Sequence, residues 1–205
     1  MEQFLNLMIY NYYDIETSTL QVIRIINSVF KSNTYVIFLK GNSNCWVVDC
    51  GDLTPLLEVF NKFSIYPSGV FITHTHFDHI YGLNDMISQY PNCKVFVSKD
   101  GSKGLYSEKL NFSRYTDIEC KYHYNNLTRI YEGSSVALFE DIYISAIKTQ
   151  GHDASCLCYS VENLLFTGDS LIPYKNVITI FPKSDKVKAK FSVNKLKTMC
   201  FKDTF

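Results

Sequence analysis

His74-Thr75-His76-Phe77-Asp78-His79 follows directly on Gly69-Val70-Phe71-Ile72-Thr73, and the reading of this join decides the fold. The leading run is short, β-branched and aromatic, the composition of a buried strand. Beyond the histidines, Ile80, Leu83, Met86 and Ile87 recur at helical spacing until Pro91 ends the pattern. The cluster therefore stands where a strand gives way to a helix, the edge at which layered α/β folds carry their sites. Residues two apart in an extended loop point the same way, so His74 and His76 can face one ion. Asp78 and His79, at the turn into the helix, can face a second. Imidazole and carboxylate together suit zinc, with iron or manganese as alternatives. Chance is a poor account, because three of the chain's five histidines fall within six positions.

Three further segments carry the same signal. Trp46-Val47-Val48-Asp49-Cys50-Gly51 is a strand ending in Asp-x-Gly, Thr149-Gln150-Gly151-His152 offers another histidine, and Leu165-Phe166-Thr167-Gly168-Asp169 offers a carboxylate after a strand. With the His-x-His-x-Asp-His run, these segments in this order resemble the metallo-β-lactamase superfamily, and within it the glyoxalase II-like group. The resemblance implies an α/β (α+β) fold: a four-layer αββα sandwich of two mixed β-sheets flanked by helices. It places His74, His76 and His152 on one metal, Asp78 and His79 on the other, and Asp169 between them. One or two zinc ions are expected, and the chemistry implied is attack of a metal-held hydroxide on a small ester, thioester or related substrate. Asp78 is the candidate catalytic residue, orienting the nucleophile and passing a proton. Asp49 either stands behind a ligand histidine and fixes its tautomer or is a turn-forming residue before Cys50-Gly51.

Asp169 stands where two-zinc β-lactamases of the cysteine-containing type carry a Cys, so the resemblance points away from antibiotic hydrolysis. Two alternatives remain: a catalytically weak member that binds a ligand or partner, and a phosphodiesterase or nuclease of the same superfamily. An oxygen-reducing diiron relative would have Glu at His76 and a flavin domain. The family also supplies a last histidine to the second metal, whereas no histidine follows His152 here. The expectation is a chain cut before that histidine, lacking its C-terminal strand, or a second site short of one ligand. Thr198 to Phe205 is read as the approach to that strand.

Composition bounds the rest. At 205 residues and 23.7 kDa the chain is expected to form one domain, residues 1–205, able to bury about 70% of its unfolded surface. Twenty basic and twenty acidic residues cancel, so no nucleic-acid partner is expected. Seven cysteines show no paired framework; buried thiols in a reducing cytoplasm are expected. No apolar run approaches a membrane span, and the amino terminus lacks a basic signal region. The partner expected is a small-molecule substrate, and a homodimer is left open.

In order, residues 4–10, 20–30 and 34–40 are read as strands, Cys45 to Asp49 as a hairpin partner, and 55–63 as a helix with Thr54 as N-cap and Pro55 first. Pro67-Ser68-Gly69 is read as a turn, and Lys94 to Ser98 as a strand. Residues 99–126 are irregular, the pattern of a lid or binding loop, with His123 there as an ordinary surface or core residue. Short strands over 127–166 are read as the second sheet, and a solvated basic helix around Val193, Leu196 and Met199 follows.

Overall fold

A computed structural model describes residues 10–14 and 20–200. Two sheets face each other. The first has seven strands in sequence order: β1 (Tyr10–Asp14), β2 (Leu20–Ile26), β3 (Asn33–Leu39), β4 (Asn44–Val48), β5 (Tyr66–Phe71), β6 (Lys94–Val97) and β7 (Leu127–Arg129). It is antiparallel from β1 to β4 and parallel from β4 to β7. The parallel steps need crossovers, supplied by α1 (Leu53–Phe63), α2 (Leu83–Gln89) and α3 (Lys99–Leu105). The second sheet holds β8 (Ser135–Phe139), β9 (Ile142–Lys148), β10 (Leu157–Val161) and β11 (Leu164–Phe166), followed by α4 (Lys186–Cys200).

Alternation along the strands builds the layers. On the first sheet Val36, Phe38, Val47, Val70, Ile72, Val95 and Val97 turn to one face, against Leu56, Val59 and Phe60 of α1 and Leu83, Met86 and Ile87 of α2. Their neighbours Ile37, Trp46, Val48, Phe71 and Phe96 turn to the other, against Leu138, Ile144, Leu157, Tyr159 and Phe166 of the second sheet. Behind that sheet Ile147 and Cys158 pack on Leu196 of α4. The order is helix, sheet, sheet, helix, the expected four-layer αββα sandwich. The sheets are also stitched by hydrogen bonds: Trp46 Nε1 donates to the Leu138 carbonyl at 2.8 Å, Tyr159 Oη to the Ile72 carbonyl at 2.8 Å, and Leu157 N to the Thr73 carbonyl at 2.8 Å. The last two lie beside the histidine loop.

Several details differ from the sequence reading. The second sheet is wholly antiparallel rather than mixed, and β7 extends the first sheet instead of opening the second. Helix α1 begins at Leu53 with Asp52 as its N-cap, which puts Pro55 third in the helix. Proline is tolerated there because the first-turn N–H groups have no intrahelical acceptor. Pro67-Ser68-Gly69 lies within β5, where the register slips between Cys45 and Trp46 and absorbs the extra residue as a bulge. Lys99–Leu105 is helical, capped by Ser98 Oγ accepting from Gly101 N at 2.9 Å. Gly101 and Gly104 are poor helix formers, yet a Cβ at Gly104 would meet Thr75 Oγ1 at 2.1 Å; the glycine lets this helix press on the histidine loop. Residues 198–200 continue α4 rather than starting a strand. Residues 4–9 and 201–205 of the strand readings lie outside the described residues.

Candidate metal centre

Phe77–His79 is a single 3-10 turn between β5 and α2, so His74 and His76 leave the sheet in extended chain and Asp78 and His79 enter the turn. The second sheet brings His152 from the loop between β9 and β10, and Asp169 from the turn after β11. Gly151 (φ +145°) and Gly168 (φ +48°) precede these two, and added Cβ atoms would meet the Ala189 backbone at 2.3 Å and Thr73 Oγ1 at 2.5 Å. Their freedom serves the turns themselves and the close packing of these loops on α4 and on the histidine loop.

All six of these side chains come together. Ligand-type atoms of His74, His76 and His152 lie within 4.8 Å of one another, as do those of His74, His79 and Asp169. His74 thus belongs to both groups, whereas the sequence reading put it in the first alone. Asp169 is turned to both sides: Oδ1 is 3.4 Å from His79 Nε2 and Oδ2 is 3.4 Å from His152 Nε2. Asp78 is in neither tight group, but its Oδ2 is 3.4 Å from His79 Nε2. Asp49, at the end of β4, is buried with φ +58°. Its Oδ1 accepts from Thr73 N at 2.7 Å and its Oδ2 from Thr73 Oγ1 at 2.7 Å. The same Oδ2 lies 2.8 Å from His79 Nδ1. His123 is exposed and its backbone N–H bonds Asn84.

Burial and charge set the protonation. Burial, reinforced by the neighbouring imidazoles His79, His76 and His152, pushes His74 well below the ordinary histidine value. His152 is lowered by burial and by His76. Both are held neutral, the form that ligates a cation. Burial also opposes a charge on His79, but Asp49, Asp169 and Asp78 outweigh it and raise that group. Burial opposes ionisation of Asp169 as well, yet the His79 ring 3.4 Å away and the charge of His152 keep it low. Asp78 is raised by burial, with His79 acting against the rise. The carboxylates that favour a proton on His79 would equally favour a cation beside it.

The donor set fits a transition metal. Nε2 of His74 and of His79 are buried without a hydrogen-bond partner, a costly arrangement for polar atoms unless a ligand satisfies them. Around the cluster, Phe112 and Phe181 pack on His76 with ring centres 4.9 Å away each, and on one another at 5.2 Å. Phe112 holds a left-handed backbone, φ +68°, a strained conformation common at functional sites. Phe112 falls in the 99–126 segment read as a lid or binding loop, whereas Phe181 escaped the sequence reading, as did Asp153, which lies buried beside His76. Burial works against the Asp153 carboxylate, but His76 and Ser155 hold it down to about 2. An acidic residue directly after His152 was the available signal.

Residues 28–199 match the family model of the metallo-beta-lactamase superfamily, and the chain belongs to that superfamily. Among curated proteins it is similar to hydroxyacylglutathione hydrolases. It is 27% identical over 140 residues to that of Pectobacterium carotovorum subsp. carotovorum (strain PC1), covering 68% of this chain and 47% of the relative. To that of Xylella fastidiosa (strain M12) it is 29% identical over 142 residues, covering 69% and 46%. The chain thus spans about half the length of the curated relatives it matches. Among solved structures it resembles BLEG-1 B3 metallo-beta-lactamase, with a TM-score of 0.75, 20% identity and coverage of 84% and 83%. It also resembles TTHA1623 in a di-iron-bound form, with a TM-score of 0.72, 18% identity and coverage of 85% of each chain. At such identities these structures establish the fold.

Proposed function

We propose that this chain is a metal-dependent hydrolase acting on a small ester, thioester or related carbonyl substrate, in the manner of glyoxalase II. The observation that carries the reading is the orientation of Asp169, with one oxygen 3.4 Å from His79 and the other 3.4 Å from His152, which suits a carboxylate shared by two cations. His74, His76 and His152 would hold one ion; His79, Asp78 and Asp169 would hold the other, zinc being favoured and iron or manganese also suiting these donors. Such ions, when bound, supply an acidified water and polarise a carbonyl oxygen. The protein's own groups do the rest. Asp78, whose Oδ2 stands 3.4 Å from His79 Nε2, takes and returns a proton at its carboxylate. Phe112 and Phe181 wall off the His76 side, so substrate enters past Asp169, whose side chain is 26% exposed against 6% for His76.

The relatives named hydroxyacylglutathione hydrolase support the hydrolase reading and make an acyl-glutathione the first substrate to try. Zero formal charge supports a small molecule over nucleic acid as partner. Among the described residues, six free cysteines are all buried, which supports the cytoplasm as the place of action, and no helix is long and apolar enough to cross a membrane. A second reading, binding without turnover, is favoured by one observation: among the described residues, the group at His79 is made with a carboxylate and with His74, which the other group also uses. Elemental analysis of the purified protein, with a panel of ester, thioester, lactone and phosphodiester substrates, separates the two. Two equivalents of metal with thioester turnover support the hydrolase. One equivalent and no hydrolysis support the binder, and no metal defeats both.

A further inference from the structure

A histidine ligates through one ring nitrogen and is held by what the other one touches. For three of the four clustered histidines that outer partner is visible. His79 Nδ1 has Asp49 Oδ2 at 2.8 Å, His152 Nδ1 has the Ile178 carbonyl at 2.8 Å, and His74 Nδ1 has Thr73 Oγ1 at 3.2 Å. His76 is turned the other way. Its Nδ1 faces the cluster, 2.9 Å from His152 Nε2, so its outer nitrogen is Nε2. That atom is buried and without a hydrogen bond. Asp153 Oδ2 stands 3.8 Å from it, and is likewise buried and unpartnered. The other carboxylate oxygen, Oδ1, is pinned by Ser155, accepting from its N at 2.7 Å and its Oγ at 2.5 Å. Ser155 Oγ in turn accepts from Thr75 N at 3.3 Å, beside His76. An acid and an imidazole nitrogen, both dry and both unanswered, face each other across a gap that a small carboxylate rotation closes to hydrogen-bond length.

We propose that Asp153 is the positioning residue for His76: Oδ2 accepts the Nε2 proton, which fixes the tautomer and leaves Nδ1 bare toward the cluster. The inference rests on the metal reading above. It gives the His76 side a carboxylate brace from the second sheet, matching the one Asp49 gives His79 from the first. A neutral acceptor would not serve in the same place. Because Ser155 N donates to Oδ1, an asparagine at this position must put its amide oxygen there. Its NH2 group then confronts His76 Nε2, which must accept, and the ring proton is driven to Nδ1, the atom needed for ligation.

This predicts an inverted order of variants. Asp153→Asn keeps the shape and the Ser155 bonds, yet should weaken binding of the first zinc equivalent about 10–100-fold in chelator competition. Asp153→Ala, which leaves His76 free to choose its tautomer, should weaken it less. A residue that merely filled space would give the reverse order. The proposal is overturned if Asp153→Asn binds zinc as tightly as wild type, or more tightly than Asp153→Ala does. Nitrogen-15 NMR of the zinc-loaded wild type supplies an answer even where a variant fails to fold. A slowly exchanging His76 proton on Nε2 supports the brace, and a proton on Nδ1 overturns it. Wild-type protein that takes up no metal sinks the metal reading and this inference with it, whereas metal uptake with indifferent Asp153 variants sinks this inference alone.

Discussion

The two halves of the metal centre are built by different means. The first sheet delivers four donors in six residues, His74 to His79, and all of them are buried. A single carboxylate, Asp49 on the neighbouring strand, ties down both Thr73 and His79. The second sheet delivers only His152 and Asp169, each alone on its loop. His152 is seated by residues far away in sequence: its ring by the Ile178 carbonyl and its own carbonyl by Ser184. One half is local and preorganised, and the other exists only after the sandwich closes. The first half thus presents most of the donors within one short loop, while each group of the proposed centre is completed from the second sheet, by His152 or by Asp169.

The largest effect should come from breaking the second half at its shared residue. Asp169→Ala removes the only one of these side chains that faces His79 with one oxygen and His152 with the other. The second equivalent of metal should be lost, with its affinity falling by more than about a hundredfold, beyond what an outer partner contributes. The first equivalent should stay on the three histidines. Titration with a chromophoric chelator reads both; unchanged stoichiometry would remove the bridge from the proposal.

A smaller loss should follow from loosening the first half. Asp49→Asn keeps the volume but replaces a buried charge that accepts from Thr73 N, Thr73 Oγ1 and the His79 ring. Its amide NH2 must face a donor, leaving one bond unmade. Breaking such a charged network costs about 3–5 kcal/mol when one partner goes entirely, so the urea midpoint should drop visibly. Metal affinity on the His79 side should fall about 10–100-fold. A variant with native affinity and stability would reduce Asp49 to a turn residue.

That contrast also governs what was legible beforehand. The histidine loop could be read because its donors are adjacent and its strand and helix flanks have clean periods. His152 and Asp169 gave only short motifs, and their meeting depends on β9 to β11 forming a separate sheet against Trp46 and Phe71. Asp153 and the pairing of Phe112 with Phe181 were not legible, although Phe112 lies in the segment read as a lid, since their partners are chosen by tertiary contact. Helix α3 was hidden because Gly101 and Gly104 carry poor helix propensity, a cost accepted so that Thr75 can pack against the helix. Thr54 is read as the cap because no local pattern shows that the chain turns into the helix at Asp52, whose carboxylate reaches Ser28 and Tyr81.

Asp52 supplies the mildest test of the claim that the first half is tied locally. Its carboxylate accepts from Ser28 N at 2.6 Å, Ser28 Oγ at 2.8 Å and Tyr81 Oη at 2.6 Å, joining the β2–β3 loop to the chain just past His79. Burial opposes its ionisation, but these bonds from Tyr81 and Ser28 hold it below the usual carboxylate value. A carboxyl lowered on folding adds stability that is fully present above the unfolded value, about 3.9, and is lost as pH falls through the folded value. Wild type should therefore exceed Asp52→Asn in unfolding free energy at pH 6, and the gap should close below about pH 4. The group is partly exposed, so solvent screening limits the difference to about 1 kcal/mol. Urea melts of both proteins from pH 6 to pH 3 measure it. A gap that stays constant with pH would mean that the amide loses packing rather than charge-assisted bonds, and the tie beside His79 would then be steric.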